Sequence, residues 1–171
     1  IRVADEAEAV AVAKKYLSYF QGVTTAFSRH SEDALRELVP EQRTRVYDVR
    51  AVINTLADID SVLELRSDFG VGIVTAFARI EGKPVGIIAN NPAHLGGAID
   101  TPGADKMARF VQLCDAFDIP LISLCDTPGF MVGPQAEESA QVRHFSRLFV
   151  TAASVTIPWI TVVLRKGYGL G

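Results

Sequence analysis

Apolar residues recur at helical spacing near the start of the chain: Val10, Ala13, Leu17 and Phe20 lie on one face of a segment spanning 5–20. Asp5, Glu6 and Glu8 favour its N-terminal end, where the helix dipole is positive. Residues 21–32 are polar, contain Gly22 and read as a linker. Ser31 is placed to cap a short helix through Leu38, which Pro40 ends. Val46, Val49, Ile53 and Leu56 mark a further helix.

Beyond residue 60 the pattern changes. "VLEL" (62–65), "VGIVTAFARI" (71–80) and "VGIIAN" (85–90) are strand-like, with "EGKP" (81–84) as a hairpin turn. A helix follows at 104–117, its apolar face made by Met107, Phe110, Val111, Cys114 and Phe117. A buried strand "LISLCD" (121–126), a helix at 136–153 and a last strand "WITVVL" (159–164) complete the pattern. Strands alternating with helices imply crossovers, hence an α/β fold with a largely parallel sheet.

Three strands run into glycine-bearing corners: "NNPAHLGGAID" after 90, "TPGFMVGPQ" after 126 and "RKGYGLG" after 164. In a parallel sheet these corners share one edge, where α/β proteins bind their ligands.

Composition narrows the classes. The 171 residues are 49% hydrophobic and 22% charged, the balance of a globular domain with a real core. A net charge of −3 gives no electrostatic reason to expect nucleic acid or an anionic membrane as partner. No apolar run approaches the roughly 20 residues of a membrane span, and "IRVADEAEAV" lacks the layout of a signal peptide. Cys114 and Cys125 each sit in an apolar segment, as buried thiols of a reducing, cytoplasmic protein do.

Side chains do not announce an acid, a base or a nucleophile. Asp126-Thr127-Pro128-Gly129 invites a GTPase reading, which the absence of a G-x-x-x-x-G-K-[ST] loop excludes. The same four residues also suit an ordinary tight turn, with Asp126 accepting local amides. His30, His94 and His144 show no metal-ligand spacing with carboxylates or cysteines. A loop hydrogen bond is the expected use of His94. Arg143, Arg147, Arg165 and Lys166 read as surface and rim charges. "GYGLG" (167–171) and "HLGGAID" (94–100) allow backbone amides close to a ligand oxygen, so amides on glycine loops are the best candidates for chemistry.

Six stretches stand together in an order that resembles a known family: "ELVPEQRTRVYDVRAVI" (37–53), "LADIDSVLELRSDFG" (56–70), "ARIEGKPVGIIANNP" (78–92), "GGAIDTPGADKMARFVQLCDAFDIPL" (96–121), "DTPGFMVG" (126–133) and "RKGYGLG" (165–171). They resemble the C-terminal half of the carboxyltransferase component of biotin-dependent acyl-CoA carboxylases, of the acetyl-/propionyl-CoA type. The resemblance implies a crotonase-type fold, a spiral of ββα units that forms one of two homologous halves. On it, 37–171 are a C-terminal-type domain incomplete at its end. Residues 1–36 are the last helix of a preceding half plus a linker.

The resemblance also implies a chemistry. A carboxyl group passes from carboxybiotin, held on a separate carrier domain, to the α-carbon of a short acyl-CoA. Backbone oxyanion holes stabilise the charge that develops. The biotin-side donors map to the N–H groups of Leu170 and Gly171, with Gly169 in the same corner. Gly96, Gly97 and Ala98 form a second close-approach loop. Asp126, Pro128, Gly129, Phe130 and Met131 shape the biotin pocket, with Pro128 and Gly129 setting the turn and the next two residues supplying an apolar wall. No metal is implied in this chain. The implied partners are the biotin carboxyl carrier and biotin carboxylase components, the N-terminal carboxyltransferase half and further copies in a homo-oligomer. These residues alone are expected to be nearly inactive in the full transfer. A biotin-dependent acyl-CoA decarboxylase, or a non-catalytic scaffold of the same fold, are the alternatives.

Overall fold

The computed structural model describes residues 1–42 and 44–169. Its centre is a five-stranded sheet in the order β1-β2-β3-β4-β5, formed by Leu63–Leu65, Ile73–Ile80, Lys83–Asn90, Leu121–Thr127 and Trp159–Gly167. The first three strands are antiparallel neighbours and the last three parallel ones. The sheet is therefore mixed, not largely parallel. The reason is local. Glu81 (φ 51°) and Gly82 (φ 74°) form a two-residue loop with Ile80 opposite Lys83, and such left-handed pairs match the twist of a hairpin. Asp58 secures this loop by accepting from the amides of Glu81 (3.0 Å) and Gly82 (2.7 Å).

Both faces of the sheet are covered, which explains the nearly continuous apolar runs of β2 and β3. Helices α1 (Glu6–Ser18), α4 (Thr101–Ala116) and α6 (Gln141–Ser154) lie on one side. Phe77 of β2 is fully buried there, with the rings of Tyr16, Tyr19, Phe20 and Phe110 centred 5.3–5.8 Å away. Removing such a side chain from water contributes about 2–3 kcal/mol. Helix α3 (Val49–Leu56) packs Val49, Val52 and Ile53 against Val74, Ile87 and Ala89 on the other side, with the short α2 (Leu35–Leu38) beside it. Helix α1 is tied to the sheet through Arg79, whose guanidinium donates to the carbonyls of Ser18 (2.7 Å), Gly22 (2.9 Å) and Gly82 (2.6 Å).

Element ends depart from the sequence pattern where a cap decides them. Helix α4 begins at Thr101, not 104, because the Asp100 side chain accepts from the Gly103 amide (2.9 Å) and Pro102 suits the first turn. Helix α3 begins only at Val49, capped by Asp48. Ser31 precedes a 3-10 turn but makes no side-chain cap. The helix expected over 136–153 is two helices, α5 (Pro134–Glu138) and α6, separated by Ala140 at φ 54°. Strand β5 continues three residues past the expected end, to Gly167.

Candidate functional site

Strands β3, β4 and β5 are adjacent and parallel, so their C-terminal ends deliver the three glycine-bearing corners to one edge. Side chains and close backbone contacts then tie the corners together. Asn90, the last residue of β3, donates through Nδ2 to the Gly97 carbonyl (3.3 Å) and accepts the Asp126 amide on Oδ1 (3.2 Å). Gly97 sits at φ 92°, and a Cβ there would stand 2.1 Å from the Asp126 carbonyl oxygen. Gly169, at φ 79°, is equally constrained: its Cβ would meet the Pro128 carbonyl oxygen at 2.3 Å. At both positions only glycine lets the two backbones approach. Gly96, at φ 62°, has open space around it.

The turn after β4 is held by Thr127, not by Asp126. Thr127 Oγ1 accepts the Gly129 amide at 3.0 Å, a local side-chain-to-backbone turn. Gly129 (φ 115°) and Met131 then pair with Ile99: Ile99 N–H donates to the Gly129 carbonyl (3.0 Å) and Met131 N–H to the Ile99 carbonyl (2.9 Å). Ala98 is buried within this join and Pro128 is exposed. The Phe130 ring stacks on Phe145 of α6 at 4.4 Å and meets Phe149 edge-on at 5.8 Å, anchoring the corner to that helix. A cavity of about 230 Å³ adjoins the corner, lined by Asn90, Ile99, Met107, Thr127, Phe149 and Trp159 among others; neither Phe130 nor Met131 lines it.

Asp126 is fully buried, and its carboxyl serves a longer-range network. Oδ2 accepts from Arg165 Nε (2.9 Å) and Tyr47 Oη (2.9 Å). Oδ1 has no hydrogen-bond partner among the described residues, and Lys166 Nζ stands 3.8 Å away. Arg165 and Lys166 are thus not rim charges: their side chains retain only 6% and 12% of their exposure. A bulge explains how two consecutive cations reach the carboxyl. Cys125 pairs with Val163 and Thr127 with Gly167, so β5 carries extra residues opposite Asp126. Arg165 also donates to the carbonyls of Gln42 (3.1 Å) and Arg45 (2.7 Å) and lies 4.6 Å above the Tyr47 ring. Burial, then the hydrogen bond to Asp126, push the Tyr47 phenol well above its ordinary pKa. Lys166 Nζ donates to the Gly96 carbonyl at 2.5 Å. One carboxyl therefore ties together Tyr47, the end of β5, through Arg165 the carbonyls of Gln42 and Arg45 and, through Lys166, the Gly96 corner.

Many amides of these corners are already committed. Those of Gly97, Ala98, Gly129, Met131 and Tyr168 all donate to protein acceptors. Leu170 and Gly171, the donors expected from the sequence, lie outside the described residues. His94 shares a 2.9 Å hydrogen bond with Asp100, the loop contact expected of it. No group of three or more His, Cys, Asp or Glu side chains is placed to hold a metal ion among the described residues. No helix there is long and apolar enough to cross a membrane.

Asn90, Thr127, Arg165 and Tyr47 escaped the sequence reading as site residues. Asn90 ends a strand beside a glycine corner, and Arg165-Lys166 follow an apolar strand beside another, which were the available signals. Tyr47 gave none, because its partner is 79 residues away.

Comparison with known proteins agrees with this architecture. The family model described as "Carboxyl transferase domain" matches residues 1–171. The chain is 43% identical over 169 residues to a putative propionyl-CoA carboxylase beta chain of Bacillus subtilis (strain 168), covering 96% of this chain and 33% of that protein. It is 40% identical over 173 residues to the methylmalonyl-CoA carboxyltransferase 12S subunit of Propionibacterium freudenreichii subsp. shermanii, covering 96% and 33%. Among solved structures, a single-chain, multi-domain long-chain acyl-CoA carboxylase superposes with a TM-score of 0.97 at 56% identity, over 99% of this chain and 17% of that one. The transcarboxylase 12S hexamer gives 0.83 at 40% identity, over 93% and 32%. The chain spans about a third of the length of the curated relatives it matches. Its α/β sheet, glycine corners and matches throughout its length place the chain in the carboxyl transferase domain family, with that family's crotonase-like fold.

Proposed function

We propose that these residues form the biotin-side half of an acyl-CoA carboxyltransferase that moves a carboxyl group from carboxybiotin to the α-carbon of a short acyl-CoA. The observation that carries the reading is the convergence of the three parallel strand ends, locked by glycines that approach neighbouring carbonyls too closely for any side chain. Such a corner presents fixed backbone dipoles with no reorganisation at the moment of reaction. Bound carboxybiotin would supply the carboxyl group, and this chain's part is to bind and orient it. Asn90 and Asp126 hold the corners in register, and Gly96, Gly97, Ala98, Asp126, Pro128, Gly129, Phe130, Met131 and Gly169 make up the proposed biotin-binding corner, with Phe130 anchoring it to α6 and not lining the adjoining cavity.

The N–H groups of Leu170 and Gly171 are the proposed oxyanion donors. The commitment of the Gly97, Ala98, Gly129, Met131 and Tyr168 amides to protein acceptors supports this assignment. On this reading 1–36 close a preceding half and lead into 37–171. The N-terminal half, the carrier and carboxylase components and further copies of the subunit complete a cytoplasmic assembly. Apolar side chains left exposed on β5 and α6, among them Ile160, Val163 and Val150, support an extensive contact with that other half.

Leu170→Pro, made in the full-length polypeptide, removes one proposed donor. Carboxyl transfer should fall by about 10²–10³ with the unfolding temperature unchanged; unaltered transfer would overturn the assignment. Saturation-transfer NMR on this chain with biocytin and acetyl-CoA separates the halves. Signal from biocytin supports the reading, and signal from acetyl-CoA alone would reverse it.

A further inference from the structure

A second concavity lies away from the glycine corners, between β1, β2 and α4. Its volume is about 330 Å³, and its eight lining residues include three cations, Arg66, Lys106 and Arg109, and no acid. In a chain of net charge −3, that is a local concentration of positive charge, with no acid lining the cavity among the described residues. The three cations sit at different depths. Arg66 and Arg109 are exposed at the rim, while Lys106 is 1% exposed at the floor.

None of the three has a carboxylate partner among the described residues. Among the described residues Lys106 Nζ makes one hydrogen bond, to the Ile73 carbonyl (2.7 Å), and its other two donors meet no protein acceptor there. The nearest acid by charge, Glu64, is held in a bidentate pair with Arg50 at 2.7 Å for both contacts. Arg66 takes the left-handed conformation (φ 56°), uncommon for a side chain of this size, and its guanidinium lies 5.1 Å over the Phe69 ring. Strain of this kind persists where the surroundings require it. Leu65 and Phe110 give the remaining wall an apolar character.

We infer that this cavity is a binding site for a phosphoryl group, taken by Arg66 and Arg109 at the rim and Lys106 at the floor. Two guanidinium forks and an ammonium suit a tetrahedral dianion better than a single carboxylate, which one arginine satisfies alone. The inference is independent of the carboxyltransferase reading, since it uses none of the corner residues.

Isothermal titration calorimetry of the full chain at fixed ionic strength, with inorganic phosphate, pyrophosphate and 3′,5′-ADP as probes, tests it. At least one probe should bind saturably with 1:1 stoichiometry. The double variant R66Q/R109Q should weaken that binding about tenfold or more, with the ligand-free unfolding temperature unchanged. Binding of pyrophosphate without 3′,5′-ADP would point to a free phosphate. Tighter binding of 3′,5′-ADP would point to a nucleotide-borne one; both support the site. Lys106→Met should lose binding if it folds, and the rim variants keep the test open if it does not. No saturable heat with any probe, or equal affinity in R66Q/R109Q, would overturn the inference.

Discussion

Arg165 Nε lies 2.9 Å from Asp126 Oδ2, with both side chains almost wholly removed from water. The two residues end neighbouring parallel strands, and the same carboxyl oxygen receives the Tyr47 hydroxyl from a loop 79 residues earlier. A charge placed this deep is costly unless paired, so the contact acts as a register device: the strand ends meet correctly or the carboxyl is left orphaned. The corner after β4 is consequently held from three directions.

Removing the acid should be expensive for that reason. Asp126→Ala strands Arg165 in a buried site and is expected to cost about 3–5 kcal/mol, whereas Tyr47→Phe should cost about 1–2 kcal/mol. Urea unfolding of both variants and of the double variant measures the coupling. A loss below about 1 kcal/mol for Asp126→Ala would mean the network is not stabilising the corner.

Gly96 and Gly97 offer an internal control. Both have positive φ, yet a Cβ at Gly97 would stand 2.1 Å from the Asp126 carbonyl oxygen, and one at Gly96 would meet open space. Gly96→Ala should cost only the left-handed backbone penalty, about 1–2 kcal/mol. Gly97→Ala adds a steric clash and should cost at least about 2 kcal/mol more. Equal unfolding temperatures for the two variants would refute the close approach of these corners.

Lys106 makes stability depend on pH. Burial lowers its pKa to about 8 in the fold, against about 10.4 for an unfolded lysine. Between these values the unfolded chain binds more protons, so this residue's contribution makes stability rise with pH across the window, by up to about 3 kcal/mol. Cys114 works the other way: burial pushes its thiol up to about 12, so its contribution falls as pH rises above the ordinary thiol value. The informative measurement is therefore the difference between the parent chain and Lys106→Met, followed by urea unfolding from pH 7 to 10. That difference should shift in favour of the parent chain as pH rises.

The two thiols should react at different rates. Cys114 is fully buried with its pKa pushed up, and Cys125 is partly exposed with a smaller upward push from burial. A thiol-disulfide reagent at pH 8 should modify Cys125 slowly in the native chain and Cys114 only on unfolding. Peptide mapping after timed quenching reads the order, and early labelling of Cys114 would contradict its packing.

What the sequence determined by itself was local periodicity and punctuation. Alternation and apolar runs marked all five strands, and helical spacing marked α1, α3 and α4, because each pattern reflects which faces an element must bury. The glycine corners and their common edge were legible for the same reason: a strand, a breaker and a crossover leave little topological freedom. Element ends were less legible, since a cap such as Asp100 or a left-handed Ala140 acts through one residue and not through a period. The hidden network around Asp126 was decided only by tertiary structure. Arg165 looked like a rim charge because its sequence neighbours are polar and glycine-rich. A bulge in β5 turns it inward onto an acid on the adjoining strand. Likewise Lys106 occupies a polar position by residue type, and its burial follows from how α4 meets β2. Contacts between residues tens of positions apart leave no periodic trace, so the strand ends could be read from the chain but the charges that hold them together could not.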